Sequence, residues 1–190
     1  PVPIKVAGIW QNGAWTSLGI GDHILEDLDN HEFGSKAYDI SADKKMVVGR
    51  LNKPGYVSDP CVWRYNEGTS SWDFSKYAYG NNKSAIISDI SADGSVACGW
   101  TVHAITGSRI PIVWTSPQDY ILIGNDDPMV VNLGEAARVS ENGKYVAFSI
   151  AGKAAIYSVE TNTYKTIDAH SGATSSFITS VSNDGFAVGY

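Results

Sequence analysis

Positive charge, cysteine and long apolar runs are all scarce in this chain, and each scarcity narrows what it can be. Its 190 residues carry 14 Lys and Arg against 20 Asp and Glu, a formal net charge of −6. The basic residues are scattered, so the concentrated cationic footprint of a nucleic-acid-binding protein is missing. The two cysteines, Cys61 and Cys98, lie in separate apolar runs with no Cys-x-x-Cys and no histidine at metal spacing beside them. They read as buried thiols, with a disulfide as the alternative. No stretch approaches the roughly 20 apolar residues that cross a bilayer as a helix, so no membrane-spanning segment is expected. Pro1 opens no signal-peptide pattern, as expected of a matured or trimmed chain.

What is present is enough to fold. Hydrophobic residues make up 43% of the chain and charged residues 18%, which excludes a disordered polymer and supports one packed domain over 1–190. Four times the chain reads Ile or Val, then Ser, then a turn built on Asp or Asn. The copies are Ile40-Ser41-Ala42-Asp43, Ile90-Ser91-Ala92-Asp93-Gly94, Val139-Ser140-Glu141-Asn142-Gly143 and Val181-Ser182-Asn183-Asp184-Gly185. The serines follow one another at intervals of 50, 49 and 42 residues, a period that marks propellers and solenoids.

Each copy is a hairpin. Asp-Gly between β-rich runs turns the chain because Gly takes positive φ freely and the Asp carboxylate bonds to nearby amides. In the second copy, residues 85–91 and 95–100 pair around that turn, then Pro111–Thr115 and Tyr120–Gly124 form a second hairpin. Four antiparallel strands per repeat result, and helix should be nearly absent, with Asp22–Leu28 as the one place for a helical turn. Trp10, Trp63, Trp114 and Tyr157 recur once per repeat on the third strand and are expected in the core between repeats. Trp72 and Phe74 are assigned to an outer strand.

The chain starts and stops out of phase with this unit. It opens on third and fourth strands joined by Gln11-Asn12-Gly13, a type I′ signature, and closes on first and second strands from Phe177 to Tyr190. The fold class is therefore all-β, a β-propeller of four-stranded antiparallel blades, four in number and closed by a split blade. The blade boundaries are 1–19 (outer half of blade 4), 37–80, 85–124, 136–167 and 177–190 (inner half of blade 4), or about 47 residues per blade. The alternative is a section of a larger propeller. A solenoid would need polar caps at both ends, which the termini lack.

Ile9-Trp10-Gln11-Asn12-Gly13 with Leu18-Gly19, and Ile90-Ser91-Ala92-Asp93-Gly94-Ser95-Val96 with Gly99, resemble a bacterial extracellular repeat family named for a His-Ala-Phe triplet. At the triplet positions this chain reads Pro60-Cys61-Val62, Ile110-Pro111-Ile112 and Ala154-Ala155-Ile156. The resemblance implies a secreted or surface-exposed propeller with no assigned catalysis. Ser91-Ala92-Asp93-Gly94 is also superficially similar to the Asp box of sialidase-type propellers, but its Gly stands one position early and no Thr-Trp follows.

Loops divide the surface into two faces. Tight turns (42–44, 11–13, 160–162) fall on one, and long connections (19–35, 50–60, 101–109, 124–135, 168–176) on the other, where binding residues usually sit. The candidate ligand-binding residues on that face are Asp22, His23, Glu26, Asp27, Tyr56, His103, Arg109, Asp126, Asp127 and His170. Asp22–Asp29 holds four carboxylates without the Asp-x-Asp-x-Asp-Gly spacing of a calcium loop, so it reads as solvated acidic surface, with weak cation binding as the alternative. No metal site, cofactor or catalytic residue is assigned, and no Gly-x-Ser-x-Gly elbow is present. The expected function is a non-enzymatic binding module for a protein or glycan, extracellular, at the cell surface or in the periplasm. The alternative is a glycan-active hydrolase or lyase that opposes Asp22, Glu26 or Asp27 to Asp126 or Asp127.

Overall fold

The computed structural model describes residues 5–20, 34–53, 55, 57–124 and 134–190, and among these all regular structure is β, with no helix. A hairpin of β1 (Gly8–Gln11) and β2 (Ala14–Ser17) comes first. Three antiparallel sheets of four strands follow in simple chain order. They are β3 (Gly34–Ile40), β4 (Met46–Lys53), β5 (Val57–Asn66) and β6 (Ser71–Lys76); β7 (Ser84–Ile90), β8 (Ala97–Val102), β9 (Arg109–Trp114) and β10 (Tyr120–Leu122); and β11 (Glu135–Val139), β12 (Tyr145–Ile150), β13 (Lys153–Ser158) and β14 (Thr163–Ile167). A last hairpin joins β15 (Ile178–Val181) to β16 (Ala187–Gly189).

The sheets stack face to face, which explains why central strands such as β8 and β9 are apolar without alternation: both faces are covered. Ala7 and Leu18 pack on Val47, Leu51, Cys61 and Trp63 of the first full sheet. The other face of that sheet presents Met46, Val48 and Val62 to Ala85, Ile87 and Trp114. Cys98 and Val113 then meet Val139, Val146 and Phe148, and Ala147 and Ala154 meet Ile178 and Val181. Each such aliphatic side chain, fully buried, contributes about 2 kcal/mol of transfer free energy. Both cysteines are free and buried, one in each of two different cores.

The recurring aromatic behaves as expected in three repeats and differently in the fourth. Trp63 and Trp114 are 0% exposed, and their indole N–H groups donate to the carbonyls of Gly19 (2.9 Å) and Ala78 (2.6 Å), just beyond the outer strand of the preceding sheet. Tyr157 is buried and donates to Asn162 Oδ1. Trp10 departs from the expected core position: it is 60% exposed, and among the described residues no sheet covers the face of β1 that carries it. Trp72 and Phe74 lie on β6, an outer strand.

Closure differs from expectation too. β1–β2 and β15–β16 are separate two-stranded sheets and do not join into one. Each is instead held by the full sheet beside it, the first through Ala7 and Leu18 and the last through Ile178 and Val181. The first full sheet also begins at Gly34 rather than at 37, since Ser35 accepts the Ala7 N–H on its side chain and donates its own N–H to Lys5. The stretch with the helical-turn expectation, Asp22–Leu28, lies outside the described residues.

Candidate functional site

The repeated Ser-x-Asp/Asn turn builds one end of the site. Ser41 accepts the Met46 N–H (3.0 Å) and donates to Asp43 (2.6 Å), which in turn accepts the Lys45 N–H (2.9 Å). The same three bonds recur around Ser91, Asp93 and Ser95, and around Ser140, Asn142 and Lys144. Ser182 likewise donates to Asp184 and accepts the Phe186 N–H. Beyond closing each hairpin, the turns are laced to one another. Ala42 N–H donates to the Ala92 carbonyl and Ala92 N–H to the Glu141 carbonyl, while Asn142 pairs with Asn183 through two bonds.

Immediately before each turn the first strand of the repeat bulges, between Ala37 and Asp39, Ile87 and Asp89, Ala136 and Arg138, and Ile178 and Ser180. A bulge re-aims the residue after it, and in the first two full sheets its close approach requires glycine on the facing strand, where the third full sheet pairs Phe148 with Ala136. A Cβ on Gly99 would lie 1.9 Å from the Ile86 carbonyl oxygen, and one on Gly49 equally close to that of Lys36. The four inner strands surround a central cavity of about 680 Å³, whose lining includes Asp39, Asp89, Arg138, Glu141, Ser180 and Asn183.

Its carboxylates brace the sheets. Asp39 Oδ2 accepts the Ile90 N–H of the next sheet at 3.0 Å, and Asp89 Oδ2 accepts the Val139 N–H of the one after at 2.6 Å. The position then becomes Arg138, which has no acceptor to offer, and the next boundary relies on the Asn142–Asn183 pair. Burial and the neighbouring Asp39 carboxyl, which shares a hydrogen bond with it, push the Asp89 carboxyl up to about 7, against the opposing pull of the Val139 N–H and the Arg138 charge. The result is a cavity whose lining combines carboxylates with one guanidinium.

This cavity opens among the tight turns, whose residues Ala42, Ala92, Glu141, Ser182 and Asn183 line it. Of the residues expected to bind ligand, Asp22, His23, Glu26, Asp27, Tyr56, Asp126 and Asp127 lie outside the described residues. The other three do not line the cavity. His103 accepts the Thr106 N–H within its own turn (3.2 Å), Arg109 lies 4.3 Å over the Trp100 ring, and His170 is exposed in a turn with Ala173. The signal for the central cluster was nonetheless in the repeat. One position before each Ile/Val-Ser stand Asp39, Asp89, Arg138 and Ser180, so the repeat itself sets one residue of each inner strand against the cavity.

A second ionic cluster lies at the start of β5. The Asp59 side chain, 6% exposed, meets Lys53 (2.6 Å) and Lys76 (2.9 Å) and accepts from the Tyr79 hydroxyl (2.7 Å). Burial pushes this carboxyl up, but these bonds outweigh it and hold it below the usual carboxylate value. With every oxygen partnered, it reads as structure. Among the described residues, no group of three or more His, Cys, Asp or Glu is arranged to hold a metal ion, and no helix is long and apolar enough to cross a membrane.

No protein-family model matches this chain, and no curated protein does. Solved structures do. A prolyl endopeptidase structure aligns over 90% of this chain and 26% of its own, with a TM-score of 0.55 and 13% identity. A putative TolB from Agrobacterium tumefaciens aligns over 82% of this chain and 52% of its own, with a TM-score of 0.50 and 17% identity. The chain thus spans about a quarter of the first and half of the second. At such identity the likeness concerns fold: stacked four-stranded antiparallel sheets of β-propeller type.

Proposed function

We propose that this protein is a non-catalytic β-propeller binding module, acting at a bacterial surface, outside the cell or in the periplasm, on a protein or glycan ligand received at the tight-turn mouth of the central cavity. The observation that carries this reading is the mixed lining of that mouth, where Arg138 and Glu141 join the Asp39 and Asp89 carboxyls and the turns contribute Asn183 and Ser182. Concave sites with a few convergent polar groups on a rigid scaffold are the usual places for ligand recognition. The scarcity of lysine and abundance of Gly suit an exported protein.

The carboxylates of the enzymatic alternative, Asp22, Glu26 or Asp27 against Asp126 or Asp127, lie outside the described residues. Glycoside cleavage needs two carboxylates about 5–10 Å apart across a cleft. Asp39 and Asp89 share a hydrogen bond and each binds a main-chain N–H of the next sheet, an arrangement suited to bracing.

Glycan and peptide arrays probed with the unmodified chain, then with Arg138→Ala and Glu141→Ala, test the reading. Binding lost in both variants supports the central mouth. Binding unchanged in both but lost in His103→Ala or Arg109→Ala moves the ligand to the long-connection face. Turnover of an arrayed glycan would overturn the non-catalytic assignment.

A further inference from the structure

We propose that Asp39 and Asp89 form a proton-operated clasp in the wall of the central cavity. One proton shared between the two carboxyls holds the first two full sheets together there. Its loss releases Asp39 from the Ile90 N–H and opens that seam while the sheets stay folded. The device acts on the cavity wall whatever the cavity receives.

The bonds form a chain across three inner strands. Asp39 of β3 accepts the Ile90 N–H of β7 and shares a hydrogen bond with Asp89 of β7, and Asp89 accepts the Val139 N–H of β11. The middle link differs in kind from the other two. An ionised carboxylate only accepts hydrogen bonds, so two carboxyls bond to each other only when one of them carries a proton. Without it, two negative charges stand in contact on one wall, and like charges so placed drive each other apart. Burial and the neighbouring carboxyl keep the proton on Asp89 up to about pH 7, so the clasp is shut in mild acid and open above neutrality.

The surroundings decide which carboxylate gives way. Among the described residues, the charged and titratable groups around the pair are the Cys98 thiol, opposite Asp89 on β8, Arg138 of β11, and Glu141 of the turn after it. On β3 itself Lys36 and Tyr38 are exposed, β4 sets Val48 opposite Asp39, and β15 brings Ser180 and Val181 to the cavity. Asp43 and Asp93 are bound into their own turns. Asp89 is 8% exposed, and both the Val139 N–H and the Arg138 charge favour its ionised form. Asp39 is half-buried and lines the cavity. It is therefore Asp39 that turns into solvent, and the Ile90 N–H is left on a wall that solvent reaches, since Ile90 lines the same cavity.

Amide exchange of the unmodified 190-residue chain, followed by NMR at about pH 5.5 and about pH 8.5 and corrected for intrinsic rates, tests the clasp. The ratio of Ile90 to Val139 protection cancels any change in global stability. It is expected to fall about tenfold at the higher pH, the scale of one lost hydrogen bond. An unchanged ratio overturns the proposal, and so does a rise, which would make Asp89 the carboxylate that lets go. Asp89→Asn offers an amide N–H to Asp39 at every pH, so in that variant the ratio is expected to stay constant; a tenfold fall there as well overturns the assignment to the carboxyl pair. Should Asp89→Asn fail to fold, Asp39→Asn serves the same comparison, its amide donating to Asp89.

Discussion

Asp89 Oδ2 accepts the Val139 main-chain N–H at 2.6 Å, so a side chain of the second full sheet closes the inner strand of the third. The Asp39 bond to Ile90 repeats the device one sheet earlier. These bonds sit among apolar clusters, where an unpaired amide would be costly. The central cavity is therefore lined by groups that also hold its walls together.

Asp89 should give the fold an unusual pH response. Its folded-state carboxyl is raised to about 7, well above the ordinary carboxylate value, so the native state binds the proton more tightly than the unfolded chain. Its contribution is complete below the unfolded value and is lost as pH rises through the folded one. Urea unfolding from pH 4 to 8 should show stability falling over that window, with Asp39 and Arg138 as the charges facing the group. Asp89→Asn should flatten the fall, and Asp89→Ala should cost about 1–3 kcal/mol by stranding the Val139 N–H.

Two glycine substitutions should separate steric from conformational cost. Gly99→Ala drives a Cβ against the Ile86 carbonyl and should destabilise by about 3 kcal/mol, the upper end for overpacking. Gly107, with φ of 72° and nothing within 4 Å of an added Cβ, should cost only about 1 kcal/mol as Gly107→Ala. Denaturant midpoints measure both.

The recurring aromatic should be worth different amounts in different repeats. Trp114→Ala empties a buried site and removes the bond to Ala78, for an expected loss of about 3–5 kcal/mol. Trp10→Ala in dilute protein should cost about 1 kcal/mol or less, the scale of an exposed cross-strand pair. Equal losses at the two positions would contradict the exposed setting of Trp10.

Both thiols should be silent in the native state. Burial, with the nearby Asp59 and Asp89 charges, pushes Cys61 and Cys98 far up, and the thiolate is the reactive form. Ellman's reagent should find no thiol in native protein and two after unfolding in guanidinium. Two disulfide-bonded sulfurs would instead stay unreactive throughout.

Much of this was readable from local chemistry. Asn12 and Gly13 take φ of 51° and 83°, as the Asn-Gly dipeptide favours, and the Ser-x-Asp/Asn turns form from residues within five positions of one another. The central cluster was harder to read because Asp39, Asp89 and Arg138 are about 50 residues apart and meet only once sheets stack and each inner strand bulges.

The sequence alone determined the strands, the hairpins, the four-strand unit and its phase, since turn residues and apolar runs act over a few neighbouring positions. Tertiary structure decided where those units lead. It gathered the carboxylates and Arg138 around one cavity, and it left β1–β2 and β15–β16 as separate sheets. Whether two edges meet depends on the packing of every sheet between them, and no local run of residues carries that sum.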